Sequence, residues 1–486
     1  MNVLKKYPFE FLFFLALIFF VLIKLNDLLL PFQWDELGVY GPGAFSMIDT
    51  GHIGLLPSCL TPTLSRGHPL LFTFCNAVVF SIAGESHIVG HSFSLIISIL
   101  TLVVFFLFAQ ETFDGKTAFF SSVLLMVHPN FFVSSVMIQP EMMLTLFSVL
   151  SVWGIVSKRW WLYSIAASLA MMTKESAIVI LLLALLIILS DAIKHRDYFS
   201  STRLRVFLLG IIPLLVFGLF MVIQKIQNGW FLFPEHIGYL HFNWGTNYPI
   251  GTRIFNEMFF NFGKWITGGP MLSGLLLCLF RKPLNIQLNA RTLWIYAGLV
   301  FFIFLFADVN VYLTRYILYA APFVVLGGVH TFFTVIDRIV PSFKLSGMIL
   351  LGCISVYAVS AGYPKMMEFP FGETSYKLSL KVVQDAVSWA EQQPWKNDTI
   401  ETNFPLTGAF EDKRNGYLIG ETIPFYTDFE KKPRYGLFYF AWEKENIPNP
   451  RNYKYTILKI WTEQYAHVAW VEYQKDSTGS TSKAVH

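Results

Sequence analysis

The chain has 486 residues, of which 54% are hydrophobic and only 14% charged. Soluble domains carry about 25% charged residues, so composition excludes an ordinary water-surrounded globule and implies an integral membrane protein. A net charge of +4 with no Lys/Arg block speaks against nucleic acid as a partner. Cys59, Cys75, Cys278 and Cys353 show no paired spacing, which speaks against a disulfide framework or a cysteine metal site.

Lys5 and Lys6 precede a first apolar run that begins near Phe9, too long for a signal-peptide core and without a small-residue cleavage pattern. It reads as an uncleaved span with a cytoplasmic N-terminus. Further apolar runs lie near 88–109, 117–136, 140–156, 160–172, 176–192, 206–224, 266–280, 292–307, 316–335 and 345–362. They predict an α-helical polytopic membrane protein of about eleven spans, some short enough to need help from flanking residues. Lys116, Lys158 with Arg159, Lys194 with Arg196, Arg203 with Arg205, Arg281 with Lys282 and Arg291, and Arg338 with Lys344 then all fall on one side, which the positive-inside rule makes cytoplasmic. Residues 69–84 are apolar but contain Thr73 and Asn76 and are too short to span. They read as an external interfacial helix within a large first loop, 31–87.

A second external segment, 225–265, is rich in aromatic residues: Trp230, Phe231, Phe233, His236, Tyr239, His241, Trp244 and Tyr248. Such residues stack on sugars, close lids or form interfacial belts. After Gly362 the composition turns polar. Helical periodicity over 374–391 and strand patterns in DTIETNF, YGLFYFAW, YTILKIW and HVAWVEYQ predict a small C-terminal α/β extracytoplasmic domain. The domain reading is 1–362 transmembrane, 363–476 extracytoplasmic α/β, and 477–486 a disordered tail.

This topology gathers ionisable residues from separate segments on the external face. Asp35 and Glu36 follow the first span, in Trp34-Asp35-Glu36, and His68 lies in Arg66-Gly67-His68-Pro69. Glu141 follows Pro140, Lys174 and Glu175 occupy a turn, and Arg315 precedes Tyr316 at the mouth of the tenth span. Each has an ordinary structural use, as a helix cap, a first-turn acid or a snorkelling cation. Together they form a chemical set. A carboxylate can take a proton from a hydroxyl nucleophile, while Lys, Arg and His can hold a phosphate. A phosphate monoester, with a second pKa near 6, leaves readily and needs cations more than a general acid.

These residues resemble those of the C-type-fold polytopic glycosyltransferases, in particular bacterial relatives of the protein O-mannosyltransferases and of the aminoarabinose transferase that modifies lipid A. Asp35-Glu36 is similar to the family's first-loop acidic motif, His68-Pro69-Leu70 to its HPPL or KPPL segment, and LAMMTK, ending at Lys174, to its LLTKG turn. Glu141 matches an acidic position at the start of the fourth span, and Arg315-Tyr316 with Pro322 matches an RY-x5-P segment. The chain departs from the pattern at Leu70, at Glu141, where Asp is common, and at Glu175, where the family has Gly.

The resemblance implies an inverting glycosyltransferase in the bacterial inner membrane, with its active site extracytoplasmic. It would move a hexosyl or pentosyl group from a polyprenyl-monophosphate sugar donor to a hydroxyl of a protein, lipid or glycan acceptor. Asp35 would be the general base. Glu36 and Glu141 would position the acceptor or a divalent cation, and His68, Lys174 and Arg315 would bind the donor phosphate. A transporter or flippase of a lipid-linked or anionic substrate is the alternative, although such proteins place their charges near the midplane and often show repeated halves.

Overall fold

The structure, a computed structural model, describes residues 7–195, 200–240, 244–284, 288–310, 312–339, 352, 376–393, 400–426, 433–441, 447 and 454–474. Of the eleventh expected span, 345–362, only Gly352 falls inside this set, and the tail 477–486 lies outside it. Contacts divide the chain into two compact units, Met1–Leu29 with Val39–Met366, and Leu30–Gly38 with Met367–His486.

The first unit is helical, and its helices follow the hydropathy. Pro8–Leu29, His87–Thr112, Glu175–Lys194, Ser201–Asn228, Ala290–Asp308 and Thr314–Arg338 are long and apolar enough to cross a bilayer. Shorter apolar helices run over Gly115–Met126, Pro140–Val156 and Trp265–Leu279, and a further helix over Trp160–Thr173. Leu71–Ala83 is also helical; its 13 residues rise only about 20 Å, less than a hydrocarbon core of roughly 30 Å. The run expected at 117–136 is two helices, Gly115–Met126 and Pro129–Ser134. Pro129 has no N–H and drives His128 to extended backbone (φ −62°, ψ 124°), which ends the first helix and starts the second.

Outward faces of these helices carry large bare side chains, such as Phe19 and Leu22 on the first and Leu215 and Leu219 on Ser201–Asn228. In water such stripes would drive aggregation; in hydrocarbon they are the solvent-facing surface. The inward faces form one core that includes Leu102, Phe105, Phe108, Val149, Val152, Tyr163, Tyr296 and Phe323. Thr145, Ser148 and Ser151 donate their hydroxyls to carbonyls one turn back on Pro140–Val156, so they enter this core with their polarity satisfied. Gly154 lets the start of the next helix close in: a Cβ there would lie 2.5 Å from the Tyr163 nitrogen.

The second unit contains a five-stranded mixed sheet of order β2-β1-β3-β5-β4, with β1 Ile400–Thr402, β2 Phe425–Tyr426, β3 Tyr435–Ala441, β4 Tyr455–Glu463 and β5 Ala466–Tyr473. β1 runs parallel to β2 and β3, while β3, β5 and β4 are antiparallel. β3 and β5 are buried on both faces, as central apolar strands should be. The amphipathic helix Tyr376–Glu391 covers the sheet, with Trp389 against Trp461 and Trp470.

Residues 30–38, an external-loop stretch within the expected domain 1–362, belong to this second unit. Phe32 is fully buried and its N–H donates to the Asn415 carbonyl at 2.9 Å. The Trp34 ring meets those of Phe404 and Tyr439, and Leu37 packs so closely on Gly408 that a Cβ there would lie 2.7 Å from it.

Candidate active site

In the first unit the chain brings Glu141, Lys174 and Arg315 together from three elements. Extended backbone at Gln139 and Pro140 at the first helical position start Pro140–Val156, placing Glu141 in its first turn. The helix Trp160–Thr173 ends where Lys174 becomes extended (φ −158°, ψ 138°), and a short 3-10 turn, Glu175–Ala177, follows. Arg315 lies in the 3-10 helix Thr314–Ala320.

The Lys174 ammonium donates to Glu141 Oε1 at 2.6 Å, and Arg315 Nε lies 3.6 Å from the same oxygen. All three residues are buried, with Glu141 at 1% exposure. Lys174 Nζ also sits 3.9 Å over the Tyr316 ring, an additional cation–π contact. Two cations thus share one carboxylate at helix ends, with Glu175 as a second acid near Lys174.

His68 and Glu175 lie beside this group. His68 Nδ1 and Glu175 Oε2 are 2.9 Å apart, both residues partly exposed. The His236 ring stands 4.8 Å from that of His68. Burial pulls the His236 pKa below its ordinary value, and the nearby His68 lowers it further against an opposing pull from Glu175. Gly67, at φ 71°, has no room for a side chain, because a Cβ would meet Phe233 and Trp230 at 2.9 Å. The aromatic segment therefore rests on the turn that carries His68.

A second buried network fixes the approach to Arg315. Glu257 accepts from Thr314 Oγ1 at 2.9 Å and from the Tyr312 hydroxyl, and pairs with Arg253 Nε at 2.9 Å. Asn130 donates to the Thr314 carbonyl at 3.0 Å, and Lys264 donates to the Glu257 carbonyl at 2.7 Å. Burial pushes the Lys264 pKa down to about 8, partly countered by Glu257. Sequence reasoning does not single out Glu257 or Lys264, since an acid four residues after Arg253 reads as an ordinary helix pair. Buried, it instead anchors a loop 57 residues away.

Asp35 and Glu36 belong to the second unit. Trp34 has a left-handed backbone (φ 42°), and a π-helical turn, Glu36–Tyr40, follows. Glu36 is 1% exposed, and its Oε2 accepts the Gln33 N–H at 3.1 Å. Its charge faces Tyr417, whose pKa is raised first by burial and then by Glu36 and Tyr439. Asp35 is half-buried. The paired carboxylates therefore have different surroundings, with Glu36 holding its own loop.

Glu36 and Glu141, the acids expected to position the acceptor or a divalent cation, belong to separate units, and Glu141 is bound to its two cationic neighbours. Among the described residues, the group of three donors with metal-like spacing is His68, Glu175 and His236, whose ligand atoms lie within 4.8 Å of one another.

Residues 67–222 match the family described as dolichyl-phosphate-mannose-protein mannosyltransferase. That stretch includes His68, Glu141, Lys174 and Glu175 but not Asp35, Glu36, His236 or Arg315. No curated protein matches the chain. Among solved structures, ArnT from Cupriavidus metallidurans in the apo state is 11% identical, with a TM-score of 0.57 over 93% of this chain and 97% of that one. The same protein bound to undecaprenyl phosphate gives 0.55 at 13% identity, again over 93% of this chain and 97% of that one. The archaeal oligosaccharyltransferase AglB from Archaeoglobus fulgidus, in complex with an inhibitory peptide and a dolichol-phosphate, gives 0.54 at 12% identity, over 87% of this chain and 64% of that one. At these identities the likeness is one of fold. The chain has the C-type fold of the polytopic membrane glycosyltransferases, and it resembles the protein O-mannosyltransferases and the aminoarabinose transferase in fold and in its matched segment.

Proposed function

We propose that this protein transfers a sugar from a polyprenyl-monophosphate donor to an acceptor hydroxyl on the extracytoplasmic face of a bacterial inner membrane, inverting the anomeric carbon. The observation that carries this reading is the buried Lys174–Glu141–Arg315 group, two cations on one carboxylate at helix ends. Lys174 and Arg315, with His68, bind the donor phosphate. Asp35 takes the proton of the acceptor hydroxyl as its oxygen bonds to the anomeric carbon, and the bond from that carbon to the phosphate oxygen breaks with its electron pair. The departing polyprenyl phosphate gains negative charge, which the preorganised cations stabilise. Glu141 acts by positioning those cations, and Glu36 by holding the loop that carries Asp35.

The test is sugar release from defined polyprenyl-phosphate hexoses and pentoses by purified protein in liposomes, with protein, lipid and glycan acceptors. Asp35→Asn is expected to lower transfer by about 10²-fold or more while leaving donor binding intact, as loss of a general base does. Near wild-type transfer by that variant would remove Asp35 from the reaction. Failure of the wild-type protein to consume any such donor would remove the reaction itself.

A further inference from the structure

We propose that Glu257 is a positioning residue of the donor site, holding the chain at Tyr312 and Thr314 so that Arg315 is presented to the donor phosphate at one fixed place. The inference rests on the phosphate role proposed for Arg315. Arg315 Nε stands 3.6 Å from Glu141 Oε1, beyond hydrogen-bond reach, so that ion pair attracts the guanidinium without fixing its direction. The backbone that carries Arg315 is held more closely. Leu313 is extended (φ −121°, ψ 142°), which turns the side chains of Tyr312 and Thr314 to one side and its own exposed side chain to the other. Glu257 is buried, and its Oε2 accepts both hydroxyls, Thr314 Oγ1 at 2.9 Å and that of Tyr312. Its Oε1 pairs with Arg253 one turn earlier, so both oxygens are committed. Asn130, also buried, donates to the Thr314 carbonyl at 3.0 Å. Thr314 is thus held by side chain and backbone from two elements, and Arg315 is the next residue.

Glu257 is itself placed by its helix, Trp244–Phe259. Asn247 donates to the Asp308 carbonyl at 3.2 Å, and Gly251 approaches so closely that a Cβ would lie 2.9 Å from Asp308 Oδ1. At about 1.5 Å per residue, Asn247 and Glu257 lie about 15 Å apart along the helix, which therefore grips the chain ahead of Arg315 at two separated points. Lys264 closes the far end, its ammonium donating to the Glu257 carbonyl at 2.7 Å. A hydrophobic residue would pack this helix at less cost than a buried carboxylate, and the hydrogen bonds to 312 and 314 are what a hydrophobic residue cannot supply. Glu257 lies beyond the matched residues 67–222, so donor recognition would depend on a helix that the matched stretch does not include.

The test is binding of undecaprenyl phosphate to the full-length protein in detergent, for Glu257→Gln, Thr314→Val and Thr314→Ser, each alone and combined with Arg315→Ala. Glu257→Gln removes a charge with little change of volume, and Thr314→Val removes only the hydroxyl. Each is expected to weaken binding about tenfold, while Thr314→Ser, which keeps the hydroxyl, stays within about twofold of wild type. In the Arg315→Ala background neither Glu257→Gln nor Thr314→Val should cost more than about twofold, because the group they position is gone. In transfer assays the loss should appear in the KM for the donor and not in that for the acceptor. A residue that merely supports the fold would lower affinity by the same factor in both backgrounds, and that additivity would overturn the proposal. Thr314→Val decides the matter if Glu257→Gln does not fold. Binding that is weakened by Arg315→Ala but unchanged by Thr314→Val removes the positioning role alone. A wild-type protein that does not bind undecaprenyl phosphate removes the phosphate role of Arg315, and the positioning role with it.

Discussion

Replacing Glu141 by Gln tests the arrangement most directly, because it removes one charge and almost no volume. Glu141 is 1% exposed and holds Lys174 at 2.6 Å and Arg315 at 3.6 Å. Breaking a buried ion pair by deleting one partner costs about 3–5 kcal/mol, since the remaining charge is left desolvated, and here two cations are left facing each other. At about 2 °C per kcal/mol, the melting temperature in detergent should fall by about 6–10 °C. The double variant Glu141→Gln with Lys174→Met relieves one stranded cation. It should therefore be more stable than the sum of the single effects by about 1–3 kcal/mol, a coupling of the size seen for residues in one network. Transfer activity should stay low in that double variant, because the regained stability comes without a phosphate-binding ammonium. A Glu141→Gln protein that melts within about 1 °C of wild type, or strict additivity in the cycle, would refute the reading of Glu141 as the anchor of both cations.

Arg315→Ala should weaken binding of polyprenyl phosphate by about 10- to 100-fold in a direct binding assay, as loss of a charge-assisted hydrogen bond does; a defect confined to acceptor affinity would contradict its phosphate role. Gly408→Val forces a side chain into Leu37, which lies 2.7 Å from where a Cβ would sit, and so disturbs the loop that carries Asp35. A displacement of about 1 Å in a catalytic group costs about 10²-fold, so turnover should fall while donor affinity holds. The Lys264 ammonium is buried, and its folded-state pKa of about 8 lies below the unfolded value of 10.5. The unfolded chain therefore binds the extra proton between these values, and the Lys264 contribution to stability rises from about pH 8 to pH 10.5. Lys264→Met should flatten that rise in melting curves taken across the range, and an unchanged slope would show that Lys264 is not buried as described.

The helical part of the fold was legible because burial in lipid and core leaves a hydropathy trace that needs no partner to be read, as in Ser201–Asn228. The break at His128-Pro129 was also written locally, in the missing N–H of Pro129, but hydropathy averages over a single residue and merges the two helices. The strands β3, β4 and β5 were legible through their apolar and aromatic runs, whereas β2, with two residues, is too short to carry a pattern. Glu141, Lys174 and Arg315 were each visible as charges at span ends, and the structure brings them together. The pairing of Glu175 with His68 bridges 107 residues and has no local signature. His236 was visible only as one of many aromatics, because what separates it from a belt residue is a ring 4.8 Å away on a distant turn.

The neighbouring acids Asp35 and Glu36 are best understood from the residue before them. Trp34 has φ 42°, a conformation that costs a bulky residue about 1–3 kcal/mol and persists only where surrounding contacts over-determine it. Those contacts are present: the Trp34 ring meets Phe404 at 5.6 Å and Tyr439 at 6.5 Å, each pair contributing about 0.5–1.5 kcal/mol, and Phe32 is anchored on the Asn415 carbonyl. Glu36 closes the turn from the other side by accepting the Gln33 N–H. An acid used in this way is buried and holds its own loop. The same turn leaves Asp35 half-buried. The adjacency is then a division of labour, in which a strained Trp and a structural Glu fix the backbone on either side of the one carboxylate proposed to react. Glu36→Gln, which keeps the shape and a weaker acceptor for the Gln33 N–H, should accordingly retain far more transfer activity than Asp35→Asn. Equal losses in the two variants would place both carboxylates in the chemistry.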